Sequence, residues 1–192
     1  MEAQNNHFNH QTKLLLWVHF LYMIGSTLSA IFLNIFLWKI GAGIALVVKY
    51  NVSFFLFASF CFFLAGYLSK KWDPGLVYRS GIVARSLCFG LLIVLREGIG
   101  EYIYIFSALM ALSVSLYFIQ YNVSNFNLTH ERNRDKYFAI EGLLISASTV
   151  IGPFVASRIT GSYEGFQGYV IVFVLSSLIY LIAFFLSLGL TF

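Results

Sequence analysis

Residues 14–38 have the sequence LLLWVHFLYMIGSTLSAIFLNIFLW, and this largely apolar stretch decides the fold class. A helix needs about 20 apolar residues to cross the hydrocarbon core of a bilayer. The stretch is also longer than the apolar region of a signal peptide, about 7–15 residues, and no small-residue cleavage site follows it. We therefore expect it to be a retained first transmembrane helix.

Similar apolar runs fill the rest of the chain and are separated by short polar connections. The six runs are Leu14–Trp38, Ile44–Leu68, Leu76–Leu95, Tyr102–Phe126, Tyr137–Ile159 and Tyr169–Leu190. The 192 residues are 59% hydrophobic and only 10% charged, whereas a soluble domain carries about 25% charged residues. The sequence predicts an all-α membrane protein in the lipid bilayer, with a cytoplasmic tail at residues 1–13 and a six-helix transmembrane domain at 14–192. Spans one to three and four to six would have opposite topology, the arrangement of an inverted 3+3 repeat.

Basic residues are distributed unequally between the two predicted sides of the membrane. The side that carries the N-terminus has seven of them: Lys13, Lys70, Lys71, Arg79, Arg132, Arg134 and Lys136. The opposite side has three: Lys39, Arg96 and Arg158. Because positive residues accumulate on the cytoplasmic side, this bias predicts a multi-pass protein of the cell membrane with both termini cytoplasmic. The positive charge of the chain is thereby explained without nucleic-acid binding, which we do not expect.

Polar side chains form stripes along two of the predicted spans. On span one they follow spacings of 3, 4 and 3, at His19, Tyr22, Ser26 and Ser29. On span four they follow spacings of 4, 3 and 4, at Ser113, Tyr117, Gln120 and Ser124. Each spacing places the polar groups on one helix face, which must contact protein or water rather than lipid. The stripes predict the lining of a substrate cavity, and the alternative is hydrogen bonding between helices.

Charged residues inside the spans leave several interpretations open. Glu141, about one turn into span five, could be a satisfied interfacial carboxylate, accept a proton, or pair with Arg132 or Arg85. Arg85 could form a buried ion pair or extend its charge to the cytoplasmic surface. Cys61 and Cys88 are expected to be packing residues. No cofactor and no metal site is predicted, since the sequence has no metal-binding spacing of Cys and His.

The connection between spans two and three carries a family resemblance. Residues 66–74, GYLSKKWDP, resemble the G-x-L-A-D-R-x-G-R-R loop of the major facilitator superfamily of transporters. Lys70 stands at the family's aspartate position and Asp73 at its second glycine, so the gating role of that carboxylate is expected here only if Asp73 substitutes for it. The candidate gating residues are Gly66, Lys70, Lys71, Asp73 and Arg79.

Span five carries a second part of this resemblance. Residues 148–157, STVIGPFVAS, are similar to the family's G-x-x-x-G-P-x-x-G-G motif through Gly152 and Pro153, which we group with Glu141 as a candidate site. The resemblance implies that spans one and four line the cavity, while spans three and six lie outside. Span six carries no charge and few polar residues, so we expect it to face lipid, for example at Phe173 and Leu181. No arginine occupies span four, so the proton coupling associated with that arginine is not predicted.

The resemblance covers nearly the whole chain but only the N-terminal six-helix half of such a transporter. It implies secondary transport of an unidentified small solute by alternating access. A second six-helix bundle, either a missing C-terminal half or a second copy, would complete the transporter. The alternative is a non-transporting membrane partner or remnant half-transporter. An intramembrane enzyme is disfavoured, because no Gly-x-Ser-Gly sequence occurs and His19 is the only histidine within a span.

Overall fold

The computed structural model describes residues 8–41 and 43–192, except for the side chain of Arg132. The first seven residues of the predicted tail, and residue 42 in the first outward connection, lie outside the described residues. The described chain is helical and forms the following elements in order: α1 His10–Ile40, α2 Ile44–Lys71, α3 Pro74–Leu95, a 3₁₀ segment Arg96–Tyr102, α4 Ile103–Leu128, α5 Glu131–Ser162 and α6 Gln167–Ser187.

Local capping chemistry explains where the helices begin. The side chain of Asn9 accepts a hydrogen bond from the Thr12 amide at 2.7 Å at the start of α1. Asp73 does the same for the Leu76 amide at 2.8 Å, and Pro74 is the first residue of α3. Such side chains satisfy amide groups that have no partner within the helix.

Five helical stretches in the described chain are long and apolar enough to cross a membrane. They are His10–Ile40, Ile44–Lys71, Pro74–Leu128, Asn133–Ser162 and Gln167–Ser187. The third is 55 residues long and includes α3, the 3₁₀ segment and α4. Arg96, with a φ of 47°, ends α3, and α4 then packs along α3. The chain is thus an all-α protein with several apolar helices of membrane-spanning length.

The helices pack as two groups that share a central contact. α1 packs mainly against α5 and α6, α4 packs mainly against α2 and α3, and α3 packs against α6. The interior is rich in aromatic side chains, and the largest fully buried ones include Tyr22, Tyr78, Tyr117 and Phe89. Both cysteines are buried and unpaired. The bundle therefore has one continuous interior in which several tyrosines place hydroxyl groups within an apolar setting.

Glycine allows the closest helix approaches. A Cβ atom on Gly81 of α3 would lie 2.9 Å from the Tyr117 Cα on α4. A Cβ atom on Gly152 of α5 would overlap the Thr27 hydroxyl oxygen and lie 2.8 Å from the Leu28 amide nitrogen on α1. Small residues permit this close backbone contact, which is a main source of attraction between helices in lipid.

Exposed apolar side chains are concentrated on the outer helices. The most exposed include Phe63 on α2, at 80%, and Val150 on α5, at 71%. On α6, the expectation that Phe173 faces lipid is wrong. Its ring is 1% exposed and packs against Phe36 and Phe89, with ring centroids 5.5 and 5.9 Å apart. Leu181, in contrast, is 37% exposed.

Candidate functional site

Tyr117 of α4 is the point at which the two polar stripes meet. The Tyr22 ring of α1 stacks on it in a nearly parallel orientation, with centroids 3.5 Å apart. The His19 Nδ1 atom and the Tyr117 hydroxyl are hydrogen-bonded at 2.9 Å. All three side chains are buried, at 2% exposure or less. The structure therefore brings together three residues that helical spacing alone had assigned to one site.

The remaining stripe residues do not converge on this point. Ser29 donates to the Gly25 carbonyl of its own helix at 2.8 Å, and Ser113 donates to the Met110 carbonyl at 2.7 Å. Gln120 accepts a hydrogen bond from Ser69 of α2, at 2.7 Å from its Oε1 atom. Ser26 is half-buried. In this structure the stripes form a closed contact between helices, and their assignment to a substrate cavity stays a prediction.

Glu141 of α5 joins the same cluster from the other side. Tyr121 of α4 donates a hydrogen bond to the Glu141 Oε1 atom at 2.7 Å, and the His19 Nε2 atom lies 3.5 Å from that oxygen. The hydroxyls of Tyr121 and Tyr137 are 2.9 Å apart. Of the partners left open by the sequence, Arg85 is not the one used. A network of hydrogen bonds instead links α1, α4 and α5 through His19 and Tyr121.

Tyr121 and Tyr137 are members of this network that sequence analysis missed. Each is buried, at 2% exposure or less. A signal was present, because Tyr121 lies four residues after Tyr117 and Tyr137 lies four residues before Glu141. Residues at this spacing share a helix face. Extending each polar face by one turn would have found both tyrosines.

Arg85 lies in the middle of α3, where it neither pairs with a described carboxylate nor extends its charge to the surface. Its side chain is 7% exposed, and its Nη1 atom donates to the Met110 sulfur at 3.4 Å. The guanidinium also lies over the Phe89 ring, 5.6 Å from the centroid. Within residues 8–41 and 43–192, the structure shows no ion pair between Arg85 and a carboxylate. The positive charge is thus kept inside the bundle.

The candidate gating residues have separate local roles. Asp73 caps α3, and Arg79 donates to the carbonyls of Ser187 and Leu190 at 3.2 and 3.0 Å, at the end of α6. The Lys71 ammonium lies 4.5 Å from the ring centroid of Tyr67 on the same helix. Lys70 is exposed and Gly66 is half-buried. These residues flank one connection without forming a shared site, and their gating role stays a prediction.

In the span-five motif, Gly152 lies at the contact between α5 and α1. Gly152 is buried against Thr27, whose hydroxyl donates to the Ser148 carbonyl of α5 at 2.8 Å. Pro153 lies inside α5 without ending it. The motif therefore holds α5 tightly against the helix that carries His19 and Tyr22.

Comparison with known proteins places this architecture in a family. The profile of the Major Facilitator Superfamily matches residues 15–191. An uncharacterized protein in the sodM 3′ region of Geobacillus stearothermophilus is 31% identical over 165 residues, which cover 86% of this chain and 77% of the relative. The uncharacterized protein YqgE of Bacillus subtilis (strain 168) is 29% identical over 173 residues, 90% of this chain but 40% of that relative. No solved structure matches the chain.

Proposed function

Because this chain belongs to the Major Facilitator Superfamily, a family of membrane transporters and not of enzymes, we propose that it supplies one six-helix bundle of a secondary transporter. The complete transporter moves a small solute by alternating access. The observation that carries this proposal is the polar contact between α1 and α4, at His19, Tyr22 and Tyr117. In a protein of mainly apolar helices, polar groups at this depth mark a solute pathway.

The packing pattern supports six spans arranged as an inverted 3+3 repeat. Exchanging α1 with α4, α2 with α5 and α3 with α6 preserves the main helix neighbours. α1 packs on α5 and α6 as α4 packs on α2 and α3, and the contact between α3 and α6 maps onto itself. An inverted repeat requires this kind of equivalence. α3 and α4 then count as two spans joined by the 3₁₀ segment.

A second six-helix bundle is part of the proposal. Alternating access needs two bundles that move about a site between them. The chain aligns with only 40% of YqgE, so that relative has ample length for another bundle. The many exposed apolar residues of α2 and α5 are suited to lipid and to such a partner. The partner is a C-terminal half or a second copy of this chain.

Sidedness can be tested by labelling. We propose a cell-membrane location with both termini cytoplasmic, so Arg134 lies inside and Glu164 outside. With Cys61 and Cys88 replaced, single cysteines Arg134→Cys and Glu164→Cys are exposed to a membrane-impermeant thiol reagent on intact cells. Only E164C should react. Reaction of R134C from outside would reverse the proposed orientation.

Transport itself is tested by access to the centre of the membrane. Ser26 lies near the middle of α1 and is half-buried, so S26C in the same cysteine-free background should react with a small polar thiol reagent. Alternating access requires reaction from the outside in intact cells and from the inside in inverted vesicles. The control is L181C, whose position is exposed on α6 and should be shielded by lipid.

The alternative function, a non-transporting partner, gives a different labelling pattern. A bundle that never alternates would leave S26C reactive from one side only or from neither side. Either pattern, with E164C labelled normally as a control for folding and insertion, would overturn the transport proposal. Equal reactivity of S26C and L181C would also overturn it, because the α1 stripe would then be no more accessible than a lipid-facing position.

A further inference from the structure

The side chain of Arg85 has far more hydrogen-bond donors than acceptors around it. A guanidinium carries five N–H donors and is always charged. Within the described residues, its Nη1 atom donates to the Met110 sulfur, a weak acceptor, and the Tyr180 hydroxyl lies near the guanidinium, whereas its Nε atom is buried without a partner. The remaining close group is the face of the Phe89 ring. This charge is therefore both buried and poorly compensated.

The hydroxyl groups near Arg85 are also without partners. The hydroxyls of Tyr22 and Tyr180 are buried without a well-formed hydrogen bond. The Tyr180 ring stacks on Phe89, the ring beside the Arg85 guanidinium, and its centroid lies 5.2 Å from that of Tyr22. Ser26 and Ser29 of α1 lie near the Tyr180 hydroxyl. Phenolic hydroxyls both donate and accept hydrogen bonds but carry no charge. The guanidinium and the two phenols thus form a cluster from α1, α3 and α6 that has many donors and no anionic acceptor.

No carboxylate of the described chain is placed to supply that acceptor. Six of the seven described acidic residues lie at helix ends or in connections: Asp73, Glu97, Glu101, Glu131, Asp135 and Glu164. The seventh, Glu141, is engaged by Tyr121 and His19. An uncompensated charge near the bilayer centre is costly, and buried charges are normally paired. A counter-ion from outside the chain would satisfy the cluster.

We propose that Arg85, with the hydroxyls of Tyr22 and Tyr180, binds the carboxylate group of a small organic anion. This inference rests on the proposed transport function and names its substrate class. A guanidinium binds a carboxylate through two parallel hydrogen bonds, which neither a sulfur nor an aromatic face can replace. The Phe89 ring lies beside the charge and stacks on Tyr180, which in turn contacts Tyr22, so the rest of the anion is apolar or aromatic.

The half-buried residue Ser26 marks the route to this site. It is partly exposed, unlike the other residues of the α1 stripe, and it lies near the Tyr180 hydroxyl. The site is closed in this structure, because Arg85, Tyr22 and Tyr180 are all buried. A solute therefore reaches it only in a more open arrangement of the bundle.

The test compares benzoate with benzamide, which has nearly the same shape but no charge. The purified full chain is unfolded by heat in detergent with increasing concentrations of each compound. At ten times its dissociation constant, a ligand raises the midpoint by about 3–6 °C for a protein of this size. We expect this shift with benzoate and no shift with benzamide. Equal shifts, or no shift with benzoate up to its solubility limit, would overturn the proposal.

Variants assign the effect to Arg85. Arg85→Gln should abolish the benzoate shift and raise the midpoint of the ligand-free protein, since an uncompensated charge is removed. The matched control is Arg158→Gln, because Arg158 also lies over a phenylalanine, 5.3 Å from the Phe154 centroid, but is exposed. R158Q should keep the full shift. An undiminished shift in R85Q would overturn the assignment.

A conservative variant covers the case in which R85Q does not fold. Arg85→Lys keeps the charge but loses the two parallel hydrogen bonds. We expect its benzoate dissociation constant to rise about tenfold, which corresponds to the loss of one good hydrogen bond. Unchanged affinity in R85K would overturn the claim that the carboxylate is bound through two parallel hydrogen bonds. Benzoate binding is measured without any flux, so the two proposals can fail separately. If benzoate binds but S26C is labelled from one side only, transport is overturned and the anion site is kept. If S26C is labelled from both sides but benzoate does not bind, the anion site is overturned and transport is kept.

Discussion

Gly152 should be one of the least substitutable positions of the bundle, and Gly152→Ala tests why. The added Cβ atom would overlap the Thr27 hydroxyl oxygen and lie 2.8 Å from the Leu28 amide nitrogen. One of these contacts is with backbone, which cannot move aside without shifting α1. Overpacking of this kind costs about 1–3 kcal/mol. Separation of the helices would also break the 2.8 Å bond from Thr27 to the Ser148 carbonyl, worth about 0.6 kcal/mol on average between membrane helices.

The free energy of unfolding of G152A should therefore fall by about 2–3 kcal/mol. It can be measured by reversible unfolding in mixed micelles. The matched control is Gly142→Ala on the same helix, where a Cβ atom would have no neighbour within 4 Å. G142A should be neutral or more stable by up to about 1 kcal/mol, because alanine favours the helix.

A second substitution separates the hydroxyl overlap from the backbone contact. Thr27→Ala in the G152A background removes the overlap with the hydroxyl but leaves the contact with the Leu28 amide. It should restore only part of the lost stability. Equal stability of G152A and G142A would refute the argument from close packing, and full recovery by T27A would show that the α1 backbone does not limit the approach.

Two further predictions concern the N-terminal end of α3 and the C-terminal end of α6. Arg79→Gln removes charge-assisted donors from the carbonyls of Ser187 and Leu190, so the free energy of unfolding should fall by about 1.5–3 kcal/mol. Backbone amides at the end of α6 should then exchange hydrogen faster, and unchanged exchange there would contradict the prediction. Asp73→Ala removes the 2.8 Å hydrogen bond that caps the Leu76 amide, so the free energy of unfolding should fall by about 0.5–2 kcal/mol. Asp73→Asn can still cap the helix, so its free energy of unfolding should fall by clearly less.

Helix periodicity determined much of this protein from sequence. The long apolar runs predicted an all-α membrane protein, and the described chain has several apolar helices of membrane-spanning length, because helices satisfy the backbone hydrogen bonds within a bilayer. The i, i+3 and i, i+4 spacings also placed His19 and Tyr22 on one face, and the structure finds both at Tyr117. The Gly-Pro pair in span five supported the family resemblance, and the family profile confirms membership.

Tertiary structure decided which helix each polar face meets. Gln120 shares a face with Tyr117, yet it bonds to Ser69 of α2 rather than to α1. Phe173 belongs to an apolar helix that should face lipid, yet it is buried against Phe36 and Phe89. Periodicity fixes the angle of a side chain about its own helix axis. It does not fix the rotation of that helix against its neighbours, which depends on packing along both helices.

Arg85 shows most clearly the difference between what the sequence determines and what the tertiary structure decides. The sequence places it inside span three and leaves both an ion pair and an exit to the surface open. Only the packed bundle shows that the described carboxylates lie elsewhere and that the guanidinium lies over Phe89, whose ring stacks on Tyr180. Contacts between residues far apart in the chain have no local signature, because they arise from the joint position of several helices. The compensation of a buried charge is therefore decided by the tertiary structure.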